Sequence, residues 1–218
     1  MTTTIQQHPD PVTLMSYAAG TISEPLAAVV AAHAAVCSQC RRELGDLNLL
    51  GATLVMASSA GERNSAGLVV PRIPEAELKP LRQSRTIDPA ERLPAPIALT
   101  YSLSFDSIPW KRLGPGIWHH RLPLSEGVEG DLRLLKIGAG REMPNHGHGG
   151  AELTLVLDGA FSDVTGRYGR GDLQDVDEGI EHKPLADKIA GCICLIASER
   201  PARFKGLMGR LLQPLTGM

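Results

Sequence analysis

The stretch 140–159, GREMPNHGHGGAELTLVLDG, limits what this chain can fold into more than any other part of it. It carries His146 and His148 one residue apart, Glu152 four residues further on, and glycines at both ends. Side chains on an extended backbone alternate with a period of two, so an H-x-H pair presents both imidazoles on one face. From Glu152 the chain reads ELTLVLD, an apolar run suited to a buried strand. Three metal-capable side chains therefore converge where a loop enters a strand. His182 is a fourth candidate, thirty residues on, after the glycine-rich turn 165–171 and the acidic stretch 172–181. Three imidazoles and one carboxylate suit a first-row transition ion such as zinc, iron or manganese. A lone histidine on a turn is usually a surface residue. Several ligand types at fixed intervals around a glycine-framed hairpin point instead to a metal.

A second cluster lies near the N-terminus. His33-x3-Cys37-x2-Cys40 places an imidazole and two thiolates around a helix–helix junction, and His8 is a candidate fourth ligand upstream. Two Cys and two His make a common closed zinc set, and a metal with all four positions filled by protein is structural. Two other readings compete, buried apolar cysteines and a redox-active C-x2-C pair. The charged neighbours Arg41, Arg42 and Glu43 argue against the first. The second lacks the βαβ setting of a thioredoxin-like motif.

Residues 1–57 read as helical. Asp10-Pro11 is a helix start that runs to Gly20. Thr21 to Glu24 has the T-x-x-E form of a capping box, with Ser23 before Pro25 as a rival cap. A third helix is expected from near Ser38 to about Ala57, with Leu44, Leu47, Leu50, Leu54 and Val55 as an apolar stripe. So small a unit has a marginal core, so a metal or a partner would help to hold it. Residues 58–96 carry prolines at 71, 74, 80, 89, 94 and 96 and read as linker. Their apolar pieces, 68–73 and 75–81, leave a passive spacer and a partner-contacting segment both open. From Ile97 onward the pattern is β, with strands near 117–122, 131–137, 152–157, 160–163, 172–176, 192–197 and 202–207. Trp110, Trp118, His119 and His120 read as structural. Cys192 and Cys194 share one strand face, with Ile193 and Leu195 on the other. They read as small core hydrophobes, with oxidisable thiols as the alternative; a disulfide between them would distort the strand.

The 218 residues hold one large domain or two small ones, and 43% hydrophobic residues suffice for a core. A net charge of −2 with no Lys/Arg stripe argues against direct nucleic-acid binding, including a zinc-finger DNA binder, and favours a protein partner. The N-terminus lacks the regions of a secretory signal, and the apolar run 26–36 is too short to span a membrane. A soluble, cytoplasmic protein is expected. Four cysteines as C-x2-C and C-x-C suit metal or redox chemistry in a reducing compartment.

Two resemblances follow from these residues. Gly140, His146, His148, Glu152 and Gly159 match the first cupin motif, G-x5-H-x-H-x3-E-x6-G, at every position. Gly171, Gly179 and His182 match the second, in which Asp177 replaces a proline and Ala186 an asparagine. The N-terminal H-x3-C-x2-C with an upstream histidine resembles the zinc-binding anti-sigma factors, and its union with a C-terminal cupin resembles their ChrR group. The resemblance implies an α + β two-domain chain, a small all-α zinc-binding helical domain followed by an all-β cupin barrel. Residues 1–85 would form the anti-sigma domain, 86–96 a linker and 97–218 the cupin. It further implies a non-enzymatic regulator that binds and inhibits an extracytoplasmic-function sigma factor. Stress such as reactive oxygen would release that factor, through loss or rearrangement of metal coordination. Zn2+ would sit at His8, His33, Cys37 and Cys40, and Zn2+ or another divalent transition metal at His146, His148, Glu152 and His182. A further partner-contacting helix would fall within 65–85, where prolines interrupt the pattern. The alternative is a metal-dependent cupin enzyme, a dioxygenase or isomerase, with an accessory zinc domain.

Overall fold

A computed structural model describes residues 4–61, 92–200 and 203–204 of the chain. Helix α1 (Pro11–Ala18) starts where the sequence places it: Asp10 Oδ1 accepts the Val12 N–H at 2.8 Å, with proline in the first turn. Helix α2 (Glu24–Val36) takes Ser23 as its N-cap. The T-x-x-E box does not form, because the Glu24 carboxylate accepts the Ser125 N–H at 2.9 Å instead. Cys37, in extended conformation, is the single residue between α2 and α3 (Ser38–Gly61). Only the first part of the expected stripe is covered. Leu44 is buried and Leu47 half-buried, while from 48 to 57 every side chain of α3 is exposed.

Structure from Ile97 onward is not all β. Pro94 and Pro96 preset the first turn of a short helix, α4 (Ala95–Thr100), followed by a 3-10 turn at Phe105–Ser107. Eleven strands are described after it: β1 (Lys111–Gly114), β2 (Ile117–Arg121), β3 (Asp131–Ile137), β4 (His146–Gly147), β5 (Glu152–Asp163), β6 (Gly166–Gly169), β7 (Leu173–Val176), β8 (Glu181–His182), β9 (Leu185–Ala186), β10 (Cys192–Ser198) and β11 (Arg203–Phe204). The larger sheet runs β1-β2-β3-β10-β5-β6, with β7 and β9 also paired to β5. The smaller runs β11-β4-β8. All described pairs are antiparallel. The expected strands 152–157 and 160–163 are one strand. Segments 68–73 and 75–81 and the helix sought within 65–85 lie outside the described residues, as does most of 202–207.

The larger sheet is buried on both faces. On one face Leu132, Leu134, Leu153, Leu155, Leu195 and Ala197 form a single core with Leu14, Leu26, Val29 and Val30 of the helices. On the other, Leu135, Ile137, Val156, Phe161, Cys192 and Cys194 form an inner core. The marginal core expected of the helical unit thus finds its partner within the chain. Leu157 is an extra residue between the Asp158–Ile193 and Val156–Cys194 pairs, a bulge that reverses the parity of β5. Glu152, Thr154 and Val156 therefore share the inner face with Phe161 and Asp163. Gly159, at φ 71°, permits the approach of β10, since a Cβ there would lie 2.1 Å from Gly191 O.

Residues ahead of α1 dock along β7. Leu173 N–H donates to Gln7 O at 3.1 Å, and Asp172 Oδ1 accepts the N–H groups of Gln6 and Gln7 at 2.7 and 3.1 Å. Asp175 Oδ2 accepts the Asp10 N–H and the Thr13 hydroxyl at 3.0 and 2.7 Å. Gly171 must be glycine here. Its φ is 90°, and a Cβ would sit 2.8 Å from Ile5 Cγ1.

Candidate metal centres

The bend at Cys37 brings the end of α2 against the start of α3, so that His33, Cys37 and Cys40 converge, and docking of residues 5–7 on β7 delivers His8. Ligand atoms of the four lie within 4.8 Å of one another. His8 Nδ1 is 3.5 Å from Cys37 Sγ and 3.4 Å from Cys40 Sγ. A tetrahedral zinc site would separate such N and S atoms by about 3.6 Å. His33 Nδ1–H donates to Gly171 O at 3.1 Å, which leaves a bare lone pair on Nε2, and that buried atom has no hydrogen-bond partner among the described residues. Burial, helped by His8, lowers the His33 pKa to about 4, so the ring is the neutral imidazole a metal needs. Burial and the neighbouring Cys37 push the Cys40 thiol up to about 12. Both cysteines are buried, against the expectation drawn from their charged neighbours, because Arg41 turns away to cap the Ala34 and Ala35 carbonyls of α2 at 3.0 and 3.1 Å.

The second quartet joins two sheets. Strands β4 and β8 pair His146 directly with His182, and β5 carries Glu152 at its start. All four side chains are buried. His182 Nε2 lies 3.2 Å from His146 Nε2 and 3.1 Å from His148 Nε2. His146 Nδ1–H donates to Pro144 O at 2.9 Å and His182 Nδ1–H to Asp163 Oδ2 at 2.6 Å. Both bonds engage Nδ1 and leave the Nε2 atoms of His146 and His182 turned toward one another and toward His148. Nitrogens around a shared first-row ion stand about 3.0–3.4 Å apart in octahedral or tetrahedral arrangements. His148 Nδ1 is 3.2 Å from Glu152 Oε2, off the line of a hydrogen bond. Burial raises the Glu152 carboxyl and lowers His146. For Glu152 the three histidines outweigh burial and hold it ionised below its usual range. The set has the charge and spacing to hold a divalent ion.

A carboxylate that the sequence does not advertise supports this quartet. Asp163 Oδ1 accepts the Thr165 N–H and hydroxyl at 2.8 and 2.6 Å, and Oδ2 takes Gln174 Nε2–H at 2.8 Å beside His182. Burial opposes ionisation, but these donors prevail and hold the Asp163 carboxyl well below its ordinary value. His146, Glu152 and His182 open on a cavity of about 100 Å³ lined also by Arg133, Thr154, Phe161, Gln174 and Cys194. Arg133 pairs with Asp131 and stands 3.5 Å from His119 Nδ1. The sulfurs of Cys192 and Cys194 are 3.2 Å apart in the inner core, and that contact together with burial raises the Cys194 thiol well above its usual range.

Known proteins are similar to this chain in sequence and fold. Residues 100–201 match the family described as the ChrR cupin-like domain. The anti-sigma-E factor ChrR of Cereibacter sphaeroides is 39% identical over 213 residues, 97% of this chain and 98% of its own. A crystal structure of Rhodobacter sphaeroides SigE in complex with the anti-sigma ChrR matches at a TM-score of 0.72 and 37% identity, covering 89% of this chain and 99% of that one. Among the described residues, no helix is long and apolar enough to cross a membrane. The chain belongs to the ChrR family of anti-sigma factors.

Proposed function

We propose that this chain is a cytoplasmic regulator of transcription that binds and inhibits an extracytoplasmic-function sigma factor and releases it under stress. Its action is to bind a protein, not to turn over a substrate. The observation that carries the reading is the likeness, over nearly the whole chain, to a ChrR solved with SigE. Zn2+ at His8, His33, Cys37 and Cys40 fixes α2 against α3 and ties residues 5–7 to them, which sets the shape of the gripping surface. Zn2+ or another divalent transition metal at His146, His148, Glu152 and His182 belongs to the sensing part. The domain division 1–85, 86–96 and 97–218 assigns the first part to the partner and the last to the signal.

An exposed apolar surface supports a protein partner. Val12 and Met15 on α1 and Leu49, Leu50 and Met56 on α3 are 54–74% exposed. Scattered surface leucines are ordinary, but a helix this apolar with every side chain from 48 to 57 exposed is suited to a protein groove. Co-expression with the sigma factors of its own genome tests the reading. The full chain should capture one of them in a 1:1 complex that cannot start transcription, and Leu50→Asp with Met56→Asp should weaken capture at least about tenfold. Failure to capture any sigma factor would defeat it.

A further inference from the structure

One hairpin, from Asp163 to Leu173 and Gln174, makes polar contacts with both quartets. At its N-terminal-site end, Gly171 O takes the proton of His33 Nδ1 at 3.1 Å and so selects the His33 tautomer. Next to it Asp172 Oδ1 holds the Gln6 and Gln7 N–H groups, and Leu173 N–H holds Gln7 O, so the residue before His8 is tied through both its backbone groups. The other oxygen, Asp172 Oδ2, accepts the Gly169 N–H at 2.8 Å and fixes the turn. At the far end, Gln174 Nε2 donates to Asp163 Oδ2 at 2.8 Å and to Thr165 Oγ1 at 2.6 Å. Asp163 Oδ2 in turn accepts the His182 Nδ1 proton at 2.6 Å. Between Asp172 and Gln174 stands only Leu173, which is 1% exposed in the core shared with the helices.

We propose that Gln174, Asp163 and the Gly171–Asp172 turn are positioning residues common to both centres, so that a cation in the cupin quartet tightens zinc binding at the N-terminal quartet. The proposal rests on the reading that both quartets hold metal. The driving force is local. A cation shared by the Nε2 atoms of His146, His148 and His182 would lock the His182 ring in the orientation that bonds Asp163, and its loss frees that ring to move. Asp163 follows the ring it is bonded to, and Gln174 follows Asp163. Close packing around Leu173 leaves the hairpin no room to absorb that movement, so it reaches Gly171 O and Asp172, which set the His33 ring and the segment carrying His8. By linkage the effect is mutual: zinc at the N-terminal quartet tightens the cupin metal by the same factor.

The test needs no sigma factor. The full chain is titrated with Co2+, and binding at the N-terminal quartet is read from the thiolate-to-cobalt charge-transfer band, which the thiol-free cupin quartet cannot give. Wild type, with its cupin quartet filled, is compared with His148→Ala, which cannot fill it, and with Gln174→Met and Thr165→Val, which leave all eight candidate ligands in place. We expect N-terminal affinity to fall at least about fivefold in His148→Ala, the lower end of ordinary coupling between sites. Gln174→Met should lose most of the same factor while still binding two ions, and the near-isosteric Thr165→Val should lose part of it. Equal affinity, within about twofold, in wild type and His148→Ala would overturn the coupling. A wild-type chain that binds fewer than two ions would overturn the two-metal reading beneath it.

Discussion

Leu195→Ala tests whether helices and sheet share one core. Leu195 lies on β10 with 0% exposure, on the face that packs with Val29 and Val30 of α2. The truncation removes apolar groups worth about 0.8 kcal/mol per methylene and leaves a cavity between two elements that cannot both collapse into it. The cost should be about 3 kcal/mol. With a urea m-value of about 2 kcal/mol/M, the midpoint should fall by about 1.5 M. Two probes report on different parts of the chain. Both tryptophans, Trp110 and Trp118, belong to the β part, whereas far-UV circular dichroism at the helical minimum follows α1 to α3. A shared core requires the two transitions to coincide and to move together in the variant. A helical signal that keeps its wild-type midpoint while tryptophan fluorescence shifts would refute the shared core and leave two independent units.

Other perturbations separate the remaining contributions. Asp163→Asn keeps the size of the side chain but removes the charge that holds His182 Nδ1–H, and metal affinity at the cupin quartet should fall about 10–100-fold by competition with a chelator. Zinc binding at the N-terminal quartet should strengthen as pH rises. The Cys40 thiol, held up at about 12, is protonated near neutral pH in the metal-free chain and must give up that proton to bind. The affinity should therefore change by about tenfold per pH unit for each proton displaced, and a pH-independent affinity would show that no proton leaves. Gly171→Ala should destabilise the chain by about 1–3 kcal/mol in thermal or urea unfolding, through the φ of 90° and the crowding against Ile5.

Both candidate quartets were legible because each is written in short spacings, and an H-x-H or C-x2-C pair survives almost any detail of the surrounding turns. The long apolar strands β3, β5 and β10 were legible for the same local reason. Asp163 was not. Counting alternate residues from Glu152 puts it on the opposite face, and only the bulge at Leu157 returns it to the inner side beside His182. Gln174 was hidden because its role depends on the pairing of β7 with β5, which no spacing records. The double burial of the larger sheet escaped too. Leu132, Leu134, Leu153 and Leu155 read as strand core, yet nothing local says that α2 covers them. The stripe on α3 misled in the other direction. Leu50 has the spacing of a core residue but is exposed on the helix proposed here to grip a partner.

Native mass spectrometry of the full chain, co-expressed with its sigma factor, addresses the gripping role of the N-terminal quartet most directly. Wild type should appear as a 1:1 complex with zinc bound, and Cys37→Ser with Cys40→Ser should lose both that zinc and the sigma factor. A doubly substituted chain that carries no metal at the quartet yet holds the sigma factor as firmly as wild type would contradict it.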